Sequence, residues 1–378
     1  MRLNKRETKQ RQVIRIKEAS VQHEMHADSE KGWLWTIFSV LSIVMVGAVV
    51  YSNTLNASWH FDDTIVVIEN WSIRDLEGCL NRIFSGTRGV GFFTFALNYH
   101  YNQLNVSGYH VVNIIIHIAN ALLVYSLVRL TLKTPIMSKT KLCNSARFIA
   151  LSAGLIFVSH PIQTQAVTYI SQRFTSLATL FYLLSLIFFI KARQVNKQGK
   201  SFISPLHLAY WCFAFFSGFL AMHTKEIAFT LPVVMILYEF FFIDDSLKSW
   251  KKRIIYFLPF VITLTIILIG LIQLVKGGEK PIGDIIGEMR DKFQETSQIS
   301  RRDYFFTQFN VIVTYIRLLF FPMNQILDYD FPIAKSLFQL PALFSFFFSA
   351  LSSSLQSLFL KEIGSFHLRS FGFLLLYR

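Results

Sequence analysis

Long apolar stretches recur along the chain and constrain its fold more than any other feature of the sequence. A helix needs about 20 apolar residues to cross the roughly 30 Å hydrocarbon core of a bilayer. Stretches of about this length lie near residues 33–51, 109–132, 141–160, 174–190, 206–222, 227–243, 254–275, 305–321 and 337–360. The sequence therefore predicts an all-α polytopic membrane protein, a transmembrane helical bundle of about nine spans.

Composition and charge agree with this class. Hydrophobic residues make up 53% of the chain, and 39 of its 378 residues are phenylalanine. The formal net charge of +14 comes largely from basic segments between the apolar stretches, so we interpret it as a signal for orientation in the bilayer and predict no nucleic-acid partner. Segments 133–147, 191–200 and 248–253 are expected inside with the N-terminal tail. The outer face then receives loops 52–108, 160–173, 223–226 and 276–304.

The first outer loop is predicted to contain two juxtamembrane helices. In the segment 72–84, Ser72 and Asp75 form a plausible capping box, and the apolar residues that follow share one helical face. Segment 91–101 carries three phenylalanines and two tyrosines in a run too short to cross a bilayer. Both are expected to lie along the membrane surface.

A row of polar side chains interrupts the second apolar stretch. His110, Asn113, His117 and Asn120 follow one another at steps of three or four residues, which places them on one face of a helix. Polar groups inside a bilayer are costly, so this face should look into protein or water. It could line a site, or it could only hydrogen-bond to neighbouring helices. The two histidines are too far apart along the helix to favour a metal site.

Asp62 and Asp63 are the candidate catalytic residues, because they follow the first span closely and lie next to each other. Two adjacent carboxylates repel each other when ionised, so a metal, a nearby cation or a raised pKa would relieve the conflict. A raised pKa suits a general base, and a divalent metal is a possible cofactor. The alternative is that these residues only cap a turn. Neither the cysteines nor the histidines have metal-ligand spacing.

Arg173 and Lys225 are the candidate cations of the same face. Each lies at the predicted outer end of a span, where arginine offers a fork of donors and lysine a point charge to a lipid phosphate. Alternatively, both side chains reach toward lipid headgroups, and Glu226 is an internal partner of Lys225. His160 opens the outer loop that Arg173 closes, so we group it with Glu226 and the polar face as a supporting polar wall.

Several ordered motifs together resemble the membrane half of the transmembrane and tetratricopeptide-repeat proteins, over about residues 30–335. The motifs are Phe61-Asp62-Asp63, Tyr109-His110-x-x-Asn113-x-x-x-His117-x-x-Asn120, His160-Pro161-x-x-Thr164-x-x-Val167-Thr168-Tyr169-Ile170-x-x-Arg173, Lys225-Glu226-x-x-x-x-Leu231-Pro232 and Asp328-Tyr329-Asp330-Phe331-Pro332. That family resembles the GT-C glycosyltransferases. The resemblance implies a membrane enzyme that moves a sugar from a polyprenyl-phosphate donor to a hydroxyl of an exported protein or glycan on the extracytoplasmic face.

The resemblance also implies residue roles. Asp62 or Asp63 would activate the acceptor hydroxyl, while Arg173 and Lys225 would steady the departing lipid phosphate. Two other functions remain open, namely a transporter or lipid carrier and a truncated, non-catalytic membrane scaffold.

The sequence divides into three predicted parts. These are a basic cytoplasmic tail (1–32), a GT-C-like membrane domain (33–335) and a last span with an atypical C-terminal end (336–378). Beyond about Phe338 we find none of the 34-residue helical repeats of the family. We expect an integral multi-pass protein of a bacterial inner membrane, with the endoplasmic reticulum membrane as the alternative.

Overall fold

The computed structural model describes residues 32–84, 88–197, 204–243, 261, 265, 300–326 and 329–336. Within these ranges the chain forms helices and no β-strand, which confirms the predicted all-α class. The helices are α1 (32–50), α2 (Leu76–Asn81), α3 (Gly89–Asn102), α4 (Val106–Leu132), α5 (Ala146–Ser159), α6 (Thr164–Thr168), α7 (Arg173–Lys197), α8 (Pro205–Met222), α9 (Leu231–Tyr238) and α10 (Arg301–Phe320).

Among the described residues, six helical segments are long and apolar enough to cross a bilayer. They are Gly32–Asn56, Val106–Leu132, Lys141–Ser159, Ile170–Val195, Pro205–Met222 and Glu226–Ile243. Each coincides with a predicted apolar stretch, so the first six predicted spans are confirmed as membrane-length helical segments. The predicted spans at 254–275 and 337–360 and the tail up to residue 31 lie outside the described residues, apart from helical positions 261 and 265.

Helix α10 covers the eighth predicted span but is not among these six segments. It carries Gln308, Asn310 and Arg317 within an otherwise apolar sequence.

The two juxtamembrane helices form with bounds different from those predicted. Asn70 caps a 3-10 turn, Trp71–Arg74, and Asp75 caps α2 by accepting the N–H of Gly78 at 2.9 Å. The predicted capping box led by Ser72 is therefore wrong, because the short side chains of Asn70 and Asp75 reach the free N–H groups of two separate turns. The second segment is a 14-residue helix, α3.

Two of the apolar clusters among the described residues join three helices each. The first cluster joins α1, α4 and α5 around Ile43, Tyr125 and Val158. The second joins α7, α8 and α9 around Phe189, Ala214 and Met235. Helices α4 and α7 therefore run through the centre of the bundle, and the residues at their ends are positioned by neighbours on several sides.

A buried ion pair joins α7 to the π-helical turn Glu239–Ile243 that follows α9. Arg193 Nε and Nη2 donate to the two carboxylate oxygens of Glu239 at 2.9 Å and 2.7 Å, with side-chain exposures of 7% and 0%. Arg193 belongs to segment 191–200, which the sequence places on the inside, and its charge is neutralised by a partner on another helical segment.

Candidate active site

The paired carboxylates of the first outer loop lie in different environments. Asp63 is fully buried, and its carboxylate accepts the main-chain N–H groups of His60 at 3.2 Å and Ser171 at 2.7 Å. Asp62 is exposed, and its own N–H donates to the hydroxyl of Tyr169 at 3.0 Å. Two bonds thus tie this loop to the segment that leads into α7. One acid is an anchor, and the other is accessible.

Phe61 sets the backbone of the same turn. Its φ of 45° lies in the left-handed region, which is unfavourable for a bulky residue by an order of 1–3 kcal/mol. Its side chain is 62% exposed and its ring meets the ring of Tyr169 edge-on at 6.4 Å. Burial raises the pKa of the Tyr169 hydroxyl, which keeps that group protonated.

Arg173 begins α7 and is fully enclosed by protein. Its Nε donates to Asn113 Oδ1 at 2.7 Å, and its two terminal nitrogens donate to the carbonyls of Tyr109 at 3.0 Å and Thr94 at 3.3 Å. The ring of Phe95 lies 4.4 Å from the guanidinium carbon. Arg173 therefore does not reach toward lipid headgroups. Its predicted contact with a lipid phosphate stays a prediction, and its contacts join α3, α4 and α7.

The polar face of α4 is buried inside the bundle, as the sequence predicted. His110, Asn113, His117 and Asn120 are each at most 2% exposed. Each donates to a main-chain carbonyl of another segment. His110 donates to Ala57 at 3.0 Å, and Asn113 donates to Val167 at 3.2 Å and Ile170 at 3.3 Å. His117 donates to Val158 at 3.2 Å, and Asn120 donates to Ser176 at 2.8 Å. These bonds match the alternative of hydrogen bonding between segments. His110 Nδ1 and Asn120 Oδ1 are buried without a hydrogen-bond partner.

Lys225 lies in the short connection between α8 and the turn Glu226–Thr230. It is half-buried, and its Nζ donates to Thr175 Oγ1 of α7 at 2.6 Å. Burial lowers the pKa of Lys225, the charge of Arg88 lowers it further, and Glu226 opposes both. Arg88 forms an exposed ion pair with Glu226 at 3.5 Å, and it lies 5.7 Å from the ring of Phe174.

Helix α3 is held close to α7 beside this cluster. A Cβ on Gly91 would overlap the ring of Phe174, so only glycine allows this separation. The main-chain N–H of Val90 also donates to the carbonyl of His223 at 3.2 Å. Arg88, immediately before α3, is thereby carried to the connection that holds Lys225.

His160 links α10 to the rest of the bundle. Its Nδ1 accepts the N–H of Ile162 at 3.2 Å, so its Nε2 carries the proton and donates to the carbonyl of Leu319 at 2.9 Å. Among the described residues, no hydrogen bond or ion pair joins His160 to Asp62, Asp63, Arg173 or Lys225. Of the fifth motif, Tyr329 and Asp330 are described and Asp328 lies outside the described residues.

The start of α7, together with the 3-10 turn Ile170–Gln172 that leads into it, brings the acidic and basic groups together. Ser171 binds Asp63 and Thr175 binds Lys225, and these two residues are roughly 6–8 Å apart along the helix axis. The predicted juxtaposition of paired acids with Arg173 and Lys225 therefore appears at one end of the bundle.

Sequence reasoning missed Arg88, Tyr169 and Thr175 as members of this cluster. Arg88 precedes a helix with an aromatic pattern, and nothing in that pattern shows that it meets Glu226. Tyr169 and Thr175 lie within or beside the motif that ends at Arg173, so their proximity to that motif was the available signal.

The possible divalent metal finds no assembled ligand set in this part of the structure. Within the described ranges, no three histidine, cysteine, aspartate or glutamate side chains come together in a metal-binding geometry. Both oxygens of Asp63 already accept N–H groups. Magnesium and calcium need several oxygen ligands around one point, and the residues of the site do not supply them as placed.

Fold and site together define a polytopic membrane protein with an acid and a cation cluster at one end of its bundle. Its relatives are proteins named protein O-mannosyl-transferase. The chain is 32% identical over 183 residues to one from Caenorhabditis elegans, covering 44% of this chain and 25% of the relative. It is 31% identical over 217 residues to tmtc2 from Xenopus laevis and 30% identical over 214 residues to TMTC2 from Homo sapiens, each covering 52% of this chain and 23% of the relative.

The chain spans about a quarter of the length of the curated relatives it matches. No family model and no solved structure matches it. The relatives confirm the resemblance to the membrane part of the transmembrane and tetratricopeptide-repeat proteins. They are animal proteins, so the interpretation as a bacterial inner membrane protein is not supported, whereas an integral membrane protein is.

Proposed function

We propose that this chain is the membrane catalytic part of a glycosyltransferase that moves mannose from a polyprenyl-phosphate donor to a hydroxyl of a protein. The names of its relatives support the transferred sugar and the protein acceptor. We further propose that the acid and cation cluster faces away from the cytoplasm, into the lumen of the endoplasmic reticulum, and that 33–335 is the catalytic membrane domain.

In this proposal Asp62 is the general base and Asp63 holds it in place. Asp62 is exposed and can meet an acceptor hydroxyl, whereas both oxygens of Asp63 are engaged by main-chain N–H groups. A general base must reach the proton that it removes, which favours the exposed carboxylate. Asp63 is a positioning residue, because its bonds fix the turn that presents Asp62.

Lys225 and Arg88 are the proposed contacts for the lipid phosphate. Both carry positive charge at the bundle end, and Arg88 is exposed while Lys225 is half-buried. Arg173 was predicted for the same role. We now propose that it acts on the lipid phosphate through its electrostatic potential, without direct contact, because it is fully buried. Its buried charge adds to the positive potential, and its bonds to Asn113 and Tyr109 position the first turn of α7.

The proposed reaction is a displacement at the anomeric carbon. The acceptor hydroxyl oxygen forms a bond to this carbon while the bond from the carbon to the phosphate oxygen breaks. Asp62 takes the hydroxyl proton, and the lipid phosphate leaves with the electron pair of the broken bond. Cations near the phosphate offset the charge that develops on it in the transition state.

One observation carries this proposal: Ser171, in the 3-10 turn just before α7, binds Asp63, and Thr175, in the first turn of α7, binds Lys225. A base and a phosphate site must be about one sugar ring apart for a displacement to occur between them. The roughly 6–8 Å between these two attachment points suits that requirement.

The test is transfer of labelled mannose from a polyprenyl-phosphate-mannose donor by the purified full chain to acceptor protein. We expect Asp62→Asn to reduce the rate by about 100-fold to 10,000-fold, as for loss of a general base. Lys225→Gln should raise the KM for the donor. Glu69→Gln is the matched control, because Glu69 is an exposed acid of the same loop.

Two results would separate the parts of this proposal. Wild-type transfer by Asp62→Asn would rule out Asp62 as the base. Transfer from a nucleotide-linked mannose, and none from the polyprenyl-phosphate donor, would overturn the donor assignment while leaving the base in place.

A further inference from the structure

A cavity of about 500 Å³ lies between α1, α4 and α7, away from the candidate active site. Its wall is mostly apolar, with Leu122 and Leu123 from α4 and Leu184 and Ile187 from α7. A volume of this size is typical of pockets that hold part of a small molecule. The cavity lies between segments of membrane-spanning length, where lipid is available as an occupant.

Three cations lie around one end of this cavity, namely Arg129, Lys133 and Lys191. Arg129 Nη1 donates to Thr36 Oγ1 at 2.9 Å and Tyr125 Oη at 3.4 Å, which fixes its position. Among the described residues, no carboxylate lies within ion-pair distance of any of the three. The cavity therefore has an apolar wall and an uncompensated positive rim.

The rim lies at the opposite membrane surface from the candidate active site. Arg173 and Lys191 are 18 residues apart on α7, a separation of about 27 Å along a helix. His110 and Arg129 are 19 residues apart on α4, or about 28 Å. These lengths match the roughly 30 Å of bilayer hydrocarbon. The rim is thus at headgroup level in the leaflet where the basic inside segments lie.

We propose that this cavity is a binding site for an anionic phospholipid of the leaflet opposite the candidate active site. One acyl chain lies along the leucine-rich wall, and the phosphate headgroup meets Arg129, Lys133 and Lys191. Basic pockets between membrane helices on the cytoplasmic side bind anionic headgroups in this way. The donor phosphate of the proposed reaction is a poor occupant, because its cations lie a membrane thickness away.

The test is titration of the purified full chain in neutral detergent with dioleoylphosphatidylserine or dioleoylphosphatidylcholine, followed by thermal unfolding and native mass spectrometry. We expect phosphatidylserine to raise the unfolding temperature and to be retained, and phosphatidylcholine to do neither. Lys133→Gln with Lys191→Gln should weaken phosphatidylserine binding by about fivefold per charge, about 25-fold together. These lysines are chosen because they have no hydrogen bonds to other described side chains, so folding should survive the change.

Lys139→Gln with Lys141→Gln is the matched control. It removes the same charge from exposed positions of the same inside segment that do not line the cavity. Equal loss of binding in this control would mean general attraction to a basic surface and would overturn the proposal. Equal retention of the two lipids by the wild type, or unchanged binding in the Lys133 and Lys191 variant, would also overturn it.

Ser126→Leu tests the acyl-chain half of the site with all three charges intact. Ser126 lines the cavity, and a leucine there would fill part of it. We expect binding of phosphatidylserine to fall at least fivefold. Unchanged binding would show that no acyl chain enters the cavity, and a different occupant, such as another helix of this chain, would then replace lipid in the assignment.

Discussion

Helix α7 carries two buried arginines, and the structure accommodates their charges in different ways. Arg193 forms a bidentate pair with Glu239 at 2.9 Å and 2.7 Å. Arg173 is fully buried as well, but its donors meet an amide oxygen, two carbonyls and the face of Phe95. The two residues are 20 positions apart, about 30 Å along the helix, so they lie at opposite membrane surfaces.

Arg193 has a structural role, because its charge is neutralised by Glu239. Among the described residues Arg173 has no such ion pair, so its positive electrostatic potential extends into the candidate site. The Arg193 and Glu239 pair is neutral overall, and it fixes how α7 packs on the segment after α9. At the other end, Asp63 acts on Arg173 only through space, Lys225 adds a further positive charge, and Arg88 adds one that is paired with the exposed Glu226. A site that binds an anion needs such uncancelled charge, and a helix contact does not.

The largest effect in this comparison of Arg193 with Arg173 is expected at Glu239, the partner of Arg193. Glu239→Gln leaves Arg193 buried without a counter-charge, so we expect the free energy of unfolding to fall by about 3–5 kcal/mol. Denaturant unfolding in detergent measures this loss. Arg193→Leu with Glu239→Leu removes both charges and should return the stability close to that of the wild type. A Glu239→Gln protein as stable as the wild type would contradict the structural role of the pair.

The next effect is expected at Arg173. Arg173→Lys keeps the charge but loses the fork of donors that reaches Asn113, Thr94 and Tyr109, so we expect a loss of about 2–3 kcal/mol. The same unfolding assay checks it. Because the charge is kept, a loss as large as that of Glu239→Gln would mean that donor geometry matters as much at Arg173 as charge pairing does at Arg193.

A smaller loss is expected at Gly91. Gly91→Ala forces the ring of Phe174 or helix α3 to move, at about 1–3 kcal/mol. Because Arg88 precedes α3, we also expect the donor KM to rise in the transfer assay. Gly32→Ala is the control, since its new Cβ would meet only the flexible end of Arg147 at 3.3 Å. Unchanged stability and KM in Gly91→Ala would show that α3 can shift freely.

The smallest effect is a pH dependence from Lys225. Burial and the charge of Arg88 lower the pKa of Lys225, so its ammonium loses a proton at lower pH than an ordinary lysine. The protonated form attracts phosphate, and donor affinity should therefore decline as pH rises through that lowered pKa. The effect on folding has the opposite sign, because folding favours the neutral form and stability rises with pH over the same interval.

The donor KM measured across the alkaline range checks this dependence. Lys225→Arg should move the decline to higher pH, because arginine keeps its charge there. An identical profile for both proteins would assign the decline to another group.

Span positions could be predicted from the sequence because the hydrocarbon thickness sets the length of each spanning helix independently of the others. The same is true of the buried face of α4, since helical periodicity alone brings His110, Asn113, His117 and Asn120 together. The partners could not be predicted. The carbonyls that these side chains bind belong to segments such as 161–172, whose approach depends on the packing of the whole bundle.

Ion pairs were the least predictable part of the site and of the fold. Arg193 and Glu239, like Arg88 and Glu226, are far apart in sequence and come together only through helix packing. The Ser72 capping box failed for a local reason, because Asn70 accepts the N–H of Ser72 and Asp75 accepts that of Gly78, so each caps a turn of its own. Asp62 and Asp63 could be selected as a pair, but only burial distinguishes the anchor from the accessible acid.

The left-handed backbone of Phe61 means that this turn is strained, and the hydrogen bonds of its neighbours stabilise the strained conformation. If the carboxylate of Asp63 is neutralised, its hydrogen bonds weaken and the strained backbone relaxes. Asp62 would then be displaced although its own side chain is unchanged. Loss of transfer in Asp63→Asn would then imitate loss of the base. Phe61→Gly removes the backbone strain. If Asp63 is only a positioning residue, combining Phe61→Gly with Asp63→Asn should restore part of the transfer rate.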